Sequence, residues 1–358
     1  RPFWILGGVA PLLLVVIMAF FTWRGMHGAV DSAQSALLHK VFKSNEFAAQ
    51  FVASRVTGEL DRYFREVEQQ AEDPEFLSDV QAAVSSLNEI RLADDVDGNA
   101  DPQSDPPPAW VSQYRQDPDR IVLEKRLQVL LENPKLPQVT SWFVCGPDGT
   151  FIAPAFDRKT PPTLGRNFAW RTYFHGDYVD WPQNSVPPFR LSQTQLSALL
   201  KSTATQTWKI AVSTPLRHPD SELFNGVVVV TFEVGRFLSF FEQGNAEESR
   251  FAVLVDKRAG PNHGMILQHP LFTKIIQQQK KLPDHFTQYR VKSSSSDPSK
   301  NYVYRDPLGK DANGRAFDKP WIAADASVML PNTDKQKATS SGLVVIVQED
   351  QVTAVAPV

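Results

Sequence analysis

The chain opens on Pro2 to Trp23, a run of 22 residues without a single charge. At about 1.5 Å per residue a helix of this length spans roughly 33 Å, enough to cross the apolar core of a bilayer. Trp4 and Trp23 stand near its ends, where indole rings favour the membrane–water interface. Pro11 falls inside the run, a position tolerated better in a transmembrane helix than in a soluble one. A cleaved signal peptide is the bland alternative. The apolar stretch is longer than a signal-peptide core, however, and no small-x-small cleavage site succeeds it cleanly. Arg1 precedes the span and Arg24 comes after it, so flanking charge does not orient it. Arg1 at the first position, in place of Met, reads as a segment of a longer chain.

The remainder of the chain is polar enough to be a folded domain in water. Of 358 residues, 37 are Lys or Arg and 40 are Asp or Glu, a net charge of −3. That balance argues against nucleic-acid binding, which needs a basic excess to track phosphates. The single cysteine, Cys145, excludes an intrachain disulfide and any zinc site built on two thiolates. The length allows about two domains.

Leu37, Val41, Ala48, Val52, Val56, Leu60, Tyr63 and Val67 recur at helical spacing between charged residues, which predicts an amphipathic helix from near Asp31 to Glu72. Asp73-Pro74 ends it, because a residue before proline avoids the α region. A second helix is expected over Glu75–Leu92 and another over Asp119–Asn133. Ala93–Pro108 is an acidic, proline-ended loop. Its Asp95, Asp97 and Asp101 invite a calcium reading, but the glycine and glutamate of an EF-hand loop are missing at the required spacing, and no metal site is expected.

Strand signals begin at Val139–Cys145, rich in β-branched and aromatic residues. Gly146-Pro147-Asp148-Gly149 makes a tight turn, and Thr150–Ala153 returns as a partner. Trp208–Thr214 and Gly226–Val234 read as further strands. The last is almost continuously apolar, as in a strand buried on both faces. A short helix over Gly235–Phe241 and a polar break at Gln243–Ser249 come next. Then a second cycle opens: strands at Phe251–Asp256 and Gly264–Gln268, a helix over Pro270–Lys281, and strands at Asn301–Arg305, Trp321–Leu330 and Gly342–Gln348. Ser293–Ser296 and Thr333–Ser341 are polar loops. The fold class is therefore α+β, with two strand–turn–strand modules in tandem and a boundary near Gly244.

The order of these parts resembles the double Cache domain, the extracytoplasmic ligand sensor of many bacterial receptors. The resemblance rests on Val144-Cys145-Gly146-Pro147-Asp148-Gly149 and on Gly165-Arg166-Asn167-Phe168-Ala169-Trp170-Arg171-Thr172-Tyr173-Phe174. It rests also on the Gly-Val-Val strand running to Glu233, on Phe251–Asp256 with Gln268-His269-Pro270, and on the terminal strand near Ser341. The wording Arg171-Thr172-Tyr173-Phe174-His175-Gly176 also resembles sensor regions of membrane-bound bacterial Ser/Thr protein kinases. The resemblance implies a transmembrane helix and flank over 1–27, a stalk helix and second helix over 28–92, a membrane-distal PAS-like (Cache) module over 93–243 and a membrane-proximal one over 244–358. It further implies antiparallel sheets, a second transmembrane helix after 358, and residues 24–358 outside the cytoplasm at the bacterial inner membrane. A homodimer through the long helix and a cytoplasmic effector, such as a kinase, cyclase or chemoreceptor module, are expected with it.

The resemblance places the ligand site at the edge of the first module. Arg171 can fork onto a carboxylate or phosphate. Tyr173, Trp170 and Phe174 supply aromatic faces. Arg166, Asp177 and Glu233 complete the candidate set. Against this stands a structural role, with Arg171 paired to Glu233 inside the domain and Trp170 in the core. The sequence departs from the amino-acid-binding version of the family. Arg166 stands where that version has tyrosine, Tyr173-Phe174 where it has Trp-Tyr, and Glu233 where it has aspartate. Two arginines in one segment point instead to a small anionic metabolite. No H-E-x-x-H, G-x-S-x-G or phosphate-loop motif occurs, and His175 is the one histidine near the proposed pocket. No catalysis and no cofactor are expected. A scaffold or adhesion ectodomain and an extracytoplasmic hydrolase are the alternative functions.

Overall fold

The computed structural model describes residues 3–93, 109–134, 136, 138–158, 163–218, 221, 223–236, 249–292, 304–330 and 339–355, with side chains from residue 13 onward except at 31. The acidic loop over 94–108, most of the short helix predicted at 235–241, the boundary near 244 and the polar loops at 293–296 and 333–338 lie outside the described residues.

The apolar run and the amphipathic segment are a single helix, α1 (Phe3–Glu72). Gly25 and Gly28 sit within it without ending it, so the stalk continues directly from the apolar run. Among the described residues it is the one helix long and apolar enough to cross a membrane, and none of them buries its apolar window. Further along, one stripe sinks into the protein: Ala49, Ala53, Val56, Leu60, Tyr63, Phe64 and Val67. The early part of this stripe runs one position later than the pattern suggested, through Ala49 and Ala53 in place of Ala48 and Val52. Alanines there let the helix backbone lie close to the sheets. At the far end Asp73 takes over as cap for α2 (Pro74–Ala93): its Oδ1 accepts the Glu75 N–H at 2.9 Å, and Pro74 occupies the first turn.

Helices α3 (Ala109–Arg115) and α4 (Pro118–Leu131) come next, the latter capped by Asp117 and opened by Pro118. Then come β1 (Val139–Cys145), β2 (Phe151–Phe156), the one-turn α5 (Thr172–His175), the two-residue strands β3 (Gln195–Leu196) and β4 (Leu200–Lys201), and the long β5 (Trp208–Arg217) and β6 (Phe224–Glu233). They form one antiparallel sheet in the order β2-β1-β6-β5-β3, with β4 also on β5. The second half builds β7 (Arg250–Asp256), β8 (Met265–Gln268), α6 (Pro270–Gln279), β9 (Tyr304–Arg305), β10 (Pro320–Met329), β11 (Ser340–Asp350) and α7 (Gln351–Ala354). Its sheet runs β8-β7-β11-β10-β9. The two orders are the same, hairpin for hairpin, so the tandem modules read from the sequence are two copies of one α+β plan.

Helix α1 packs on β5 and β6 of the first sheet and on β10 and β11 of the second. Ring contact between Tyr63 and Phe232, 4.1 Å between centroids, anchors it to the first. Asn45 donates to the Ile322 carbonyl at 2.9 Å, and the Thr57 hydroxyl accepts the Met329 N–H at 3.1 Å. One element thus touches both modules and carries the apolar segment.

Candidate functional site

Strand side chains alternate between faces, and the first sheet uses both. Trp142, Val144, Ile210, Val212, Val228, Val230 and Phe232 point into the main core that also holds the helices. Phe143, Cys145, Phe151, Ala211, Val227 and Val229 point the other way, into a second apolar cluster with Phe168, Ala169, Trp170, Tyr173, Phe174, Leu191 and Leu200. The covering segment is pinned at its start by the Pro-Asp-Gly turn. Gly149 has φ +89°, and its carbonyl accepts the Phe168 N–H at 2.8 Å. A Cβ at Gly149 would lie 2.6 Å from the Ala169 backbone nitrogen, so this close approach requires glycine.

Between sheet and cover lies a cavity of about 40 Å³. Its apolar wall comes from Phe143, Phe151, Phe156, Phe168, Tyr173 and Leu200, and its polar lining from Ser141, Thr231, Ser202, Thr203, Arg171 and Lys209. The aromatic wall is knit by edge contacts of Phe143 with Tyr173 (5.4 Å) and of Phe151 with Phe168 (5.5 Å).

Arg171 is built in firmly. It occupies the N-cap position of α5, its Nη1 donates to Asp180 at 2.6 Å and its Nη2 to the Lys201 carbonyl at 2.8 Å. Its guanidinium carbon stands 4.0 Å from the centre of the Trp170 ring, a cation–π stack. Asp180 also accepts the Thr172 N–H at 2.9 Å. The ion pair with Glu233 considered from sequence does not form; Asp180, nine positions on in the same loop, takes that role. Arg171 lines both the cavity and a cleft of about 400 Å³ between the modules.

The second cation of the cavity, Lys209, is absent from the sequence candidates. It is 2% exposed. Among the described residues its ammonium makes one hydrogen bond, to Thr231 Oγ1 at 3.4 Å. Burial pushes its pKa down to about 8, against the pull of Glu233 and Asp157 in the other direction. It shares its face with Ala211 and Ser213, and a lysine on the inward phase of an apolar strand was the available signal.

The other candidates take varied places. Glu233, at the end of β6 and paired in register with Lys209, is bound by Arg158 at 2.7 Å and approached by Arg236 at 3.7 Å, while its Oε1 is buried without a partner among the described residues. It is not part of the cavity lining. Trp170 lies beneath Arg171, its carbonyl bonded to His175 Nε2. Phe174 is fully buried against Phe224 and beneath Arg190. Asp177 accepts from the Trp181 indole at 3.1 Å and from the Tyr178 N–H. The Arg166 carbonyl accepts the Phe151 N–H, and the side-chain Nε is buried without a partner among the described residues. Of the seven sequence candidates, then, the structure brings Arg171 and Tyr173 into the cavity wall, and sets the other five behind or beside it.

Both nitrogens of His175 are committed, Nε2 to the Trp170 carbonyl and Nδ1 to the Asp177 N–H, and burial lowers its pKa. Burial pushes the Cys145 thiol up. Neither is poised for proton transfer or nucleophilic attack. Among the described residues no three His, Cys, Asp or Glu side chains group as a metal site would require.

No family model and no curated protein matches the chain. Solved structures do. The sensor domain of the V. cholerae histidine kinase DctB is 16% identical, over 91% of this chain and 98% of that one, with a TM-score of 0.44. The ligand-binding domain of the Pseudomonas fluorescens chemoreceptor CtaA, in complex with L-isoleucine, is 16% identical over 90% and 96%, with a TM-score of 0.44. That of the Pseudomonas aeruginosa amino-acid chemoreceptor PctC, in complex with GABA, is 15% identical over 87% and 100%, with a TM-score of 0.43.

Proposed function

We propose that this chain is the sensing region of a transmembrane receptor, and that a small anionic metabolite binds in the cavity of its first module. The observation that supports this most is that Arg171 and the under-bonded Lys209 line one cavity, whose remaining walls are aromatic rings and hydroxyls. A buried ammonium with one long hydrogen bond is costly, and an anion supplies both the charge and the acceptors it lacks. Ligand sites have this character in general: an apolar wall with a few convergent polar groups. Tyr173 forms part of the wall. Trp170, Phe174, Asp177, Arg166 and Glu233 hold it in place.

In this reading residues 3–23 cross the bacterial inner membrane and 24–358 lie outside the cytoplasm. The stalk ends near 92, the modules meet near 244, a second span lies after 358, and the effector is cytoplasmic. The region binds without catalysing, and two copies associate along α1. Ligand binding would shift α1 relative to β11, with β4 carrying the signal from the cavity to the second module. Leu200 lines the cavity, the Lys201 carbonyl is held by Arg171, and the Lys201 ammonium reaches Asp284 of the second module at 2.7 Å. Arg258 and Asn262 of the second module grip the Ser197 and Leu199 carbonyls beside it. A ligand biases such a path only by its differential affinity for two arrangements.

A thermal-shift screen of the full chain in detergent, against short mono- and dicarboxylates, amino acids and phosphate, tests the reading. A ligand at one hundred times its Kd stabilises by about 2.7 kcal/mol. A shift that disappears in Lys209→Met supports the site. No shift across the set would favour a scaffold, and turnover of a hit would favour an enzyme. Spin-label distances between Ser54 and Gln351, with and without the hit, test the transmission.

A further inference from the structure

A separate feature lies on the outer side of the first module. Helix α4 presents Arg120, Glu124 and Gln128, spaced four apart, along the β2 residues Pro154, Ala155 and Phe156, and the two elements enclose a groove of about 310 Å³. Arg115, Arg158, Thr163 and Leu164 complete its lining. Three guanidiniums against one carboxylate leave the lining with an excess of two positive charges. Glu124 neutralises Arg120 in part, and Asp157 and Glu233 hold Arg158. Arg115 is exposed and has no ion pair among the described residues. Two lining groups are buried with nothing bonded to them among the described residues: Arg120 Nε, on a side chain 8% exposed, and the Thr163 hydroxyl, on a residue 3% exposed. Folded proteins rarely leave such atoms unpaired. The Nε–H can only donate, so what is missing opposite it is an acceptor.

We propose that this groove is a second ligand site, for an organic anion whose carboxylate or phosphate head meets Arg120, Arg115 and the Thr163 hydroxyl, and whose apolar body lies on Pro154, Phe156 and Leu164. Its volume suits a small organic molecule more than a bare ion. Phe156 and Thr163 also line the inner cavity, and Arg158 joins the groove to Glu233, so occupancy here would be felt beside Lys209. The site stands whether or not the inner cavity binds a ligand.

The test is titration calorimetry of the full chain in detergent with phenyl phosphate, benzoate, inorganic phosphate and benzyl alcohol. Phenyl phosphate or benzoate should bind, and which of them does identifies the head group. Inorganic phosphate should bind at least tenfold more weakly, and benzyl alcohol not at all. Arg115→Gln, an exposed change that leaves the helix intact, should raise the Kd about tenfold, and Thr163→Val should raise it severalfold. Three results would overturn the proposal: no binding of either aromatic anion at millimolar concentration, equal affinity in wild type and both variants, or binding that survives Arg115→Gln but is lost in Lys209→Met, which would place the probe in the inner cavity.

Discussion

The two sheets share one strand order and treat a buried charge in opposite ways. In the first, Lys209 is sealed beneath an aromatic cover with one long hydrogen bond. In the second, the buried ionisable groups are spent on each other. His269 Nδ1 accepts the Leu271 N–H, which leaves Nε2 to donate to Asp306 at 3.0 Å, and Gln348 donates to the same carboxylate at 2.5 Å. Phe251, Phe272 and Phe317 enclose the imidazole. Burial by itself would raise the Asp306 pKa; His269, Gln348 and the Leu308 N–H outweigh it and hold the carboxyl below its ordinary range. Closed but for Gln348 Oε1, which has no partner among the described residues, this network fixes α6, the turn at Asp306 and β11 against one another. The open one leaves chemistry unsatisfied. Duplicating a fold therefore does not duplicate a site; one module can be specialised for rigidity while the other keeps an unfilled polar demand.

The largest effect should come from breaking the closed network. Asp306→Ala removes the acceptor of three buried donors, on His269, Gln348 and the Leu308 backbone, and we expect a loss of about 3–5 kcal/mol, read as an earlier urea transition of the second module. Acid should act similarly. Because the folded-state pKa of Asp306 is lowered, its contribution is intact above the unfolded carboxylate pKa and is lost as pH falls through the folded value. Near-UV circular dichroism from the Trp321 cluster should report that loss below about pH 4. A second module indifferent to both treatments would erase the contrast.

In the open module the balance reverses. Lys209→Met should leave stability within about 1 kcal/mol of wild type, because an apolar side chain replaces a poorly satisfied charge. Affinity for the hit of the metabolite screen should fall by about 1.5–3 kcal/mol. Arg171→Ala should cost both, since Asp180 and the Lys201 carbonyl lose their partner along with the ligand. If Lys209→Met instead unfolds the module, the lysine is structural.

A pH series sharpens the same point. With the Lys209 pKa near 8, the ligand-free protein has lost protons that the unfolded chain still holds up to about pH 10. Its stability contribution therefore rises as pH climbs from 8. Affinity for an anion should move the other way and weaken about tenfold between pH 7 and pH 9, or about 1.4 kcal/mol. Lys209→Arg should flatten the binding curve. Parallel trends in stability and affinity would mean that Lys209 does not face the ligand.

The smallest expected effect lies on the helix that the modules share. Gly58 sits in the middle of α1, and a Cβ there would meet nothing within 4 Å. Gly58→Ala should stabilise the chain by about 1 kcal/mol, measured as a thermal shift. If it destabilises, a second copy of the chain packs on that glycine.

Much of the architecture was legible from side-chain rhythm. Val139–Cys145 appears as predicted, residue for residue, because alternating β-branched and aromatic residues bounded by Gly-Pro-Asp-Gly leave the backbone few choices. The end of α1 was legible too, since Asp73-Pro74 both stops one helix and caps the next. The join between membrane span and stalk carries no break: glycine permits one without imposing it, and Gly25 and Gly28 are helical here.

Composition and periodicity by themselves determined the α+β class, the doubled plan and the long apolar helix, and the aromatic segment around Arg171 stood out by its resemblance to a known family. These are properties of local pattern, and each strand or helix carries its own. Tertiary structure alone decided which polar groups were left wanting. That Arg171 would meet Asp180 and not Glu233, that Arg158 would take Glu233, and that Lys209 would be closed off with a single hydrogen bond are outcomes of which loop folds over which strand. A hydrogen bond is made or missed over fractions of an ångström, and nothing in the order of residues along the chain records that distance.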